Sequence, residues 1–196
     1  METLNLSGST PPQENRLKNL FWPSIHTGSD VDYLGAQGYW VCAIVGAWSF
    51  VSAAVAGHPV LGAFALLIYY LGGVGVREGS PYAAATVLIL FIVDFMGTIL
   101  TVGVAAIVSG GGVFRILITA ILLSNLRATW IASQWKPGSD EAALPPRFGD
   151  TWGEKFADRF PVWLWPKVRI VYYILSACLL LLDFLGIAVI AHRHHG

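Results

Sequence analysis

Two aspartates stand inside apolar runs, and they are the residues best placed to do chemistry. Asp94 sits near the middle of Tyr82–Val108, and Asp183 within Lys167–Ala191. A carboxylate at the centre of a bilayer costs roughly 2.5–3.5 kcal/mol on insertion scales, so it needs a partner or water. Two such groups suit either of two tasks: binding a proton or cation, or hydrogen bonding between helices. At about 100° per residue, Asp94 shares a face with Leu90, Gly97, Thr101 and Ala105. Small residues of this kind let another helix approach closely, so that face predicts packing against a neighbour rather than lipid. Asp183 shares a face with Tyr172, Ser176, Leu179, Gly186 and Ile187. Both carboxylates are therefore expected to point into a bundle. The structural role, bonding to Ser, Thr, Tyr or Arg127, outweighs ion coupling, because a transport path usually carries more polar residues than this chain has. Ser124, Asn125 and Arg127 in the fourth apolar run complete the set of intramembrane polar candidates. Arg115 and Arg127 are expected to extend toward the nearest interface.

Other chemistries lack their residues. The five histidines are His26, His58, His192, His194 and His195, none in mid-span, which argues against an intramembrane haem. There is no HExxH, P-loop or GxSxG pattern. Cys42 and Cys178 fall in apolar runs without metal-ligand spacing, so buried free thiols are expected. The terminal histidines read as a polar end to the last helix. No catalytic set, metal site or cofactor is expected.

The elements that must position the aspartates follow from composition. Of the 196 residues, 55% are hydrophobic and 12% charged, against roughly 25% charged in an average soluble domain. Lys plus Arg and Asp plus Glu number 12 each, so no charge excess points to nucleic acid. The partner implied by composition is the lipid bilayer. The fold expected is all-α: a polytopic membrane helix bundle of about five transmembrane spans plus one cytoplasmic interfacial amphipathic helix.

Residues 1–33 are expected to be a disordered N-terminal segment with a short interfacial anchor at 16–22 and a turn-rich linker at 24–32. Four spans fill residues 34–135, at about 34–56, 59–76, 82–108 and 113–135. The run Gly72-Gly73-Val74-Gly75 is expected to weaken the second span, and Ser109-Gly110-Gly111-Gly112 to form a flexible turn. Residues 136–166 read as a cytoplasmic loop holding the amphipathic helix. Thr151-Trp152-Gly153-Glu154 opens that helix as a capping box, Trp152, Phe156 and Phe160 line one face, and Pro161 stops it. Residues 167–196 are the fifth span and a short tail.

Ten of the twelve Lys and Arg residues fall on the side of the N-terminus, the 77–81 turn and the 136–166 loop; Arg115 and Arg193 fall on the other. The positive-inside rule then predicts a cytoplasmic N-terminus and an external C-terminus, in a plasma or inner membrane. The function expected is that of a non-enzymatic helix-packing or complex-associated membrane component, forming homo- or hetero-oligomers through small-residue faces. The alternative is a small proton- or cation-coupled transporter or channel using Asp94 and Asp183.

Overall fold

Thr27 begins the bundle. Its hydroxyl accepts from the Asp30 backbone N–H at 3.4 Å, and its own N–H donates to Asp30 Oδ2 at 2.9 Å. This reciprocal cap starts helix α1, Gly28–Val55. The first span therefore begins six residues earlier than expected, and the end of the predicted linker is its first turns. The computed structural model describes residues 23–136, 138 and 152–195. The N-terminal anchor and most of the 136–151 loop lie outside the described residues.

Gly57, at φ +85°, reverses the chain into α2, Pro59–Arg77. Residue numbers fall along one helix as they rise along the other. Gly35 lies against Val76 and Arg77, Gly46 against Leu66, and Gly62 against Phe50. The two helices are an antiparallel hairpin with the largest interface in the molecule. Ser80 caps the next helix, α3, Pro81–Val102. The predicted 82–108 span is broken: Gly103, at φ +85°, ends α3, and a single turn, α4, Ala105–Val108, follows. A residue at positive φ cannot continue a right-handed helix, and glycine takes that conformation without strain. Ser109 then caps α5, Gly110–Ala132, accepting from the Gly112 N–H at 3.1 Å. All three glycines expected to form a flexible turn are instead the first residues of that helix.

The last helix, α6, runs Trp152–His195 with Pro161 and Pro166 inside it. The expected stop at Pro161 does not occur. Amphipathic segment and fifth span are one helix, because contacts on both sides of the prolines hold it to the bundle. Ahead of Pro161, Asp158 reaches Arg77 and the Phe160 ring lies 6.3 Å from Tyr70. Beyond it, Trp165 and Tyr172 are core residues. The side chains of Trp152 and Phe156 lie outside the described ones.

Among the described residues, five helices are long and apolar enough to cross a membrane: α1, α2, α3, α5 and residues Phe160–Val189 of α6. The bundle is all-helical. Helices α2 and α3 form its centre, flanked by α1 and α5 on one side and α6 on the other. The glycines of α2 make this arrangement possible. A Cβ on Gly73 would stand 2.8 Å from Cys42 Cβ of α1. On Gly75 it would stand 2.6 Å from Ala83 Cβ of α3 and 2.5 Å from Trp165 Cη2 of α6. The glycine-rich run is thus regular helix, not a weak point: three helices approach its backbone. Cys42 is buried as expected, whereas Cys178 is exposed on the outer face of α6.

Candidate functional site

Two polar centres lie at opposite ends of the bundle. The first is built on Arg77, the last residue of α2, whose side chain is 4% exposed. Its Nη1 donates to Asp32 Oδ1 at 2.8 Å and to the Asp32 carbonyl at 2.7 Å; Nη2 donates to Asp32 Oδ2 at 3.3 Å. Nε donates to Asp158 Oδ1 at 3.2 Å, and Nη2 reaches the same oxygen. One guanidinium thus ties α1, α2 and α6 together. The planar fork of arginine permits this two-sided grip, which lysine lacks. Sequence reasoning missed it, placing Arg77 in a turn, Asp32 in a linker and Asp158 in the amphipathic helix of the 136–166 loop.

The second centre contains Asp94, placed two-thirds of the way along α3. Its Oδ2 forms an ion pair with Arg115 Nη1 at 3.1 Å. The same Nη1 donates to Thr98 Oγ1 at 2.6 Å, and Thr98 Oγ1 donates to the Asp94 carbonyl at 3.0 Å. The guanidinium carbon lies 5.6 Å from the Phe95 ring centre. At 1.5 Å per residue, Asp94 is about 12 Å from the Val102 end of α3, and Arg115 about 7–8 Å from the start of α5. The partner of Asp94 is therefore Arg115, not Arg127, and Arg115 turns inward to meet it rather than extending along the interface.

Burial departs from expectation at this centre. The Asp94 side chain is 58% exposed in the isolated chain. It borders a groove of about 370 Å³ between α3 and α6 that also includes Gly97, Thr101, Asp183 and Gly186. A Cβ on Gly97 or Gly186 would meet nothing within 4 Å, and Thr101 and Ala105 are exposed. Within one chain, then, of the four predicted packing residues Gly97 and Gly186 lie open and Thr101 and Ala105 are exposed. The face assigned to the bundle interior is turned to the groove. The α3 break contributes, because Ala105 belongs to a separate turn with its own direction. The groove does bring Asp94 and Asp183 to one surface.

Ser124, Asn125 and Arg127 belong elsewhere. They follow Arg115 by nine to twelve residues, some 13–18 Å along α5. Arg127 Nη1 donates to the Pro23 carbonyl at 3.0 Å. Asn125 Nδ2 donates to the Ile121 carbonyl at 2.9 Å, and its buried Oδ1 has no donor among the described residues. That oxygen lies 2.6 Å from where a Gly38 Cβ would be, so it fills the space that glycine leaves in α1. Ser124 is fully buried. These residues pack α5 on α1 and do not join the carboxylates.

On its other side, the Asp94–Arg115 pair closes a second cavity of about 490 Å³ among α1, α2, α3 and α5. Trp48, Tyr69, Phe91, Phe114 and Ile118 line it. Among the described residues, no three His, Cys, Asp or Glu side chains converge as a metal site would. The arrangement suits hydrogen bonding and charge pairing in an apolar setting. No family model matches the chain, and no curated protein or solved structure does either.

Proposed function

We propose that the protein is a non-enzymatic component of a membrane assembly, and that a transmembrane helix of a second copy or of another protein lies along the α3–α6 groove. One observation carries this reading. Gly97 and Gly186 flank two carboxylates at membrane depth, yet both lie open. Small residues beside polar ones make close helix contact and interhelical hydrogen bonds possible, and a carboxylate with no partner among the described residues, as Asp183 is, is costly in hydrocarbon. The Lys/Arg distribution supports a cytoplasmic N-terminus and an external C-terminus across five crossings.

The test is Gly186→Leu. The position is open, so the variant should keep the wild-type melting temperature in detergent. It should also lose the larger species that wild type forms in mild detergent or on crosslinking in cells. Wild type that remains a single chain under both conditions would refute the assembly.

The second reading, proton- or cation-coupled transport, is favoured by both carboxylates bordering one groove. Asp183→Asn separates the two. Under transport it abolishes ion-driven flux in proteoliposomes, since the amide does not titrate. Under assembly it keeps the hydrogen-bonding group, and the larger species persists.

A further inference from the structure

The cavity on the far side of the Asp94–Arg115 pair is a separate feature from the groove. Its volume, about 490 Å³, falls within the roughly 300–1,000 Å³ typical of ligand sites. Its walls are aromatic and aliphatic, and its rim residues Ile44, Trp48 and Phe114 are exposed on the apolar surface of the bundle. A ligand entering here comes from the bilayer and carries an apolar body.

The polar end of the cavity specifies the rest. Arg115 commits Nη1 to Asp94 and Thr98, while its Nε and Nη2 donate to no acceptor among the described residues. Phe95 lies near the guanidinium, but an aromatic ring does not replace an oxygen acceptor for the remaining N–H groups. Asp94 has its Oδ2 toward Arg115, and its Oδ1 has no donor among the described residues. In hydrocarbon an unmet donor or acceptor has no water to turn to. One site thus presents spare cationic donors beside a spare anionic acceptor.

We propose that this cavity holds a zwitterionic phospholipid with a primary ammonium, of the phosphatidylethanolamine type. Its phosphate accepts from Nε and Nη2 of Arg115, a fork that suits phosphate oxygens. Its ammonium donates to Asp94. One acyl chain lies along Trp48, Phe91 and Phe114. The depth of the pair draws the headgroup inward, the local bilayer distortion by which buried charges are commonly accommodated. A choline headgroup offers no N–H to Asp94, and a glycerol headgroup offers no positive charge.

The test is native mass spectrometry of the full chain. The protein is delipidated, then offered phosphatidylethanolamine, phosphatidylcholine and phosphatidylglycerol in equal amounts. Wild type should retain one phosphatidylethanolamine at least tenfold more than either competitor. Arg115→Met should lower its retention at least tenfold while helical content and monodispersity persist. Asp94→Asn is isosteric and should erase the preference for ethanolamine over choline; it carries the test if Arg115→Met does not fold. Equal retention of all three lipids by wild type, no retention of any, or unchanged selectivity in Asp94→Asn would overturn the proposal. The assembly state of Gly186→Leu is read separately, so failure of either idea leaves the other standing.

Discussion

Replacing Arg77 with methionine is expected to destabilise the protein by about 3–5 kcal/mol, the cost of breaking a buried ion pair by removing one partner. The side chain is 4% exposed and serves two carboxylates from two other helices. Methionine fills much of the volume but leaves Asp32 and Asp158 facing each other without a cation. Most of the loss therefore comes from stranded negative charge, not from missing contacts. Two further variants check this cause. Arg77→Lys keeps the charge but cannot bond both carboxylates in one plane, so its stability should lie between the other two. Adding Asp32→Asn and Asp158→Asn to Arg77→Met removes the stranded charge and should restore a large part of the loss. Unfolding midpoints in detergent, followed by helical signal, read all three. A wild-type midpoint for Arg77→Met would mean that the triad contributes nothing, and no recovery in the triple variant would assign the loss to packing instead.

The two polar centres differ in how far the sequence disclosed them. A single charge in an apolar run is conspicuous, so Asp94 and Asp183 stand out on composition alone. That they border one groove follows from α3 and α6 running in the same direction at similar depth, which the order of spans already implied. Which way their faces turn did not follow. Periodicity places Asp94, Gly97 and Thr101 on one stripe, but it cannot distinguish a stripe facing a neighbour in the same chain from one left open to another molecule. The Arg77 centre was hidden for a different reason. Its members are 45 and 81 residues apart, and each sits at the end of an apolar run, where charged residues are ordinary. A pointer existed in the glycines before Arg77, which allow other helices to close around that end of α2. Apolar runs located the spans but not their ends, which local chemistry decides: Thr27 lay in the expected linker, Gly103 inside the expected third span and Ser109 in the expected turn. Thr27 with Asp30, Ser80, Gly103 and Ser109 are all cap residues of standard type. Pro161 failed as a stop signal because Asp158, Phe160 and Trp165 anchor the helix on both sides of it, and tertiary contact outweighs a local break.

The same close approach sets the second large effect. Gly75→Ala should cost about 1–3 kcal/mol, the usual range for overpacking. Adding one methyl normally favours a helix, by roughly 0.5–1 kcal/mol over glycine, so the expected sign is opposite to intrinsic preference. The new Cβ would stand 2.6 Å from Ala83 Cβ and 2.5 Å from Trp165 Cη2. Ala83 is fixed to the α3 backbone and cannot rotate away. Trp165 projects from α6 into the core with Val74 of α2 and Ala83 of α3, with Tyr172 and Tyr173 ring centres 5.7 and 5.9 Å from its own, so it has little room to move. Relief must come from separating α2 from α3, from α6, or from both. Trp165→Phe deletes the outer ring atoms that collide and should recover part of the loss in the double variant, although alone it leaves a cavity and is destabilising. Gly97→Ala supplies the contrast. Its methyl meets nothing within 4 Å, so propensity acts without opposition and the variant should match or slightly exceed wild type in the isolated chain. Equal midpoints for Gly75→Ala and Gly97→Ala would show that α2 is not gripped by its neighbours as closely as these distances require. A large loss at Gly75 with none at Gly97 separates the glycines that hold this bundle together from those it presents outward.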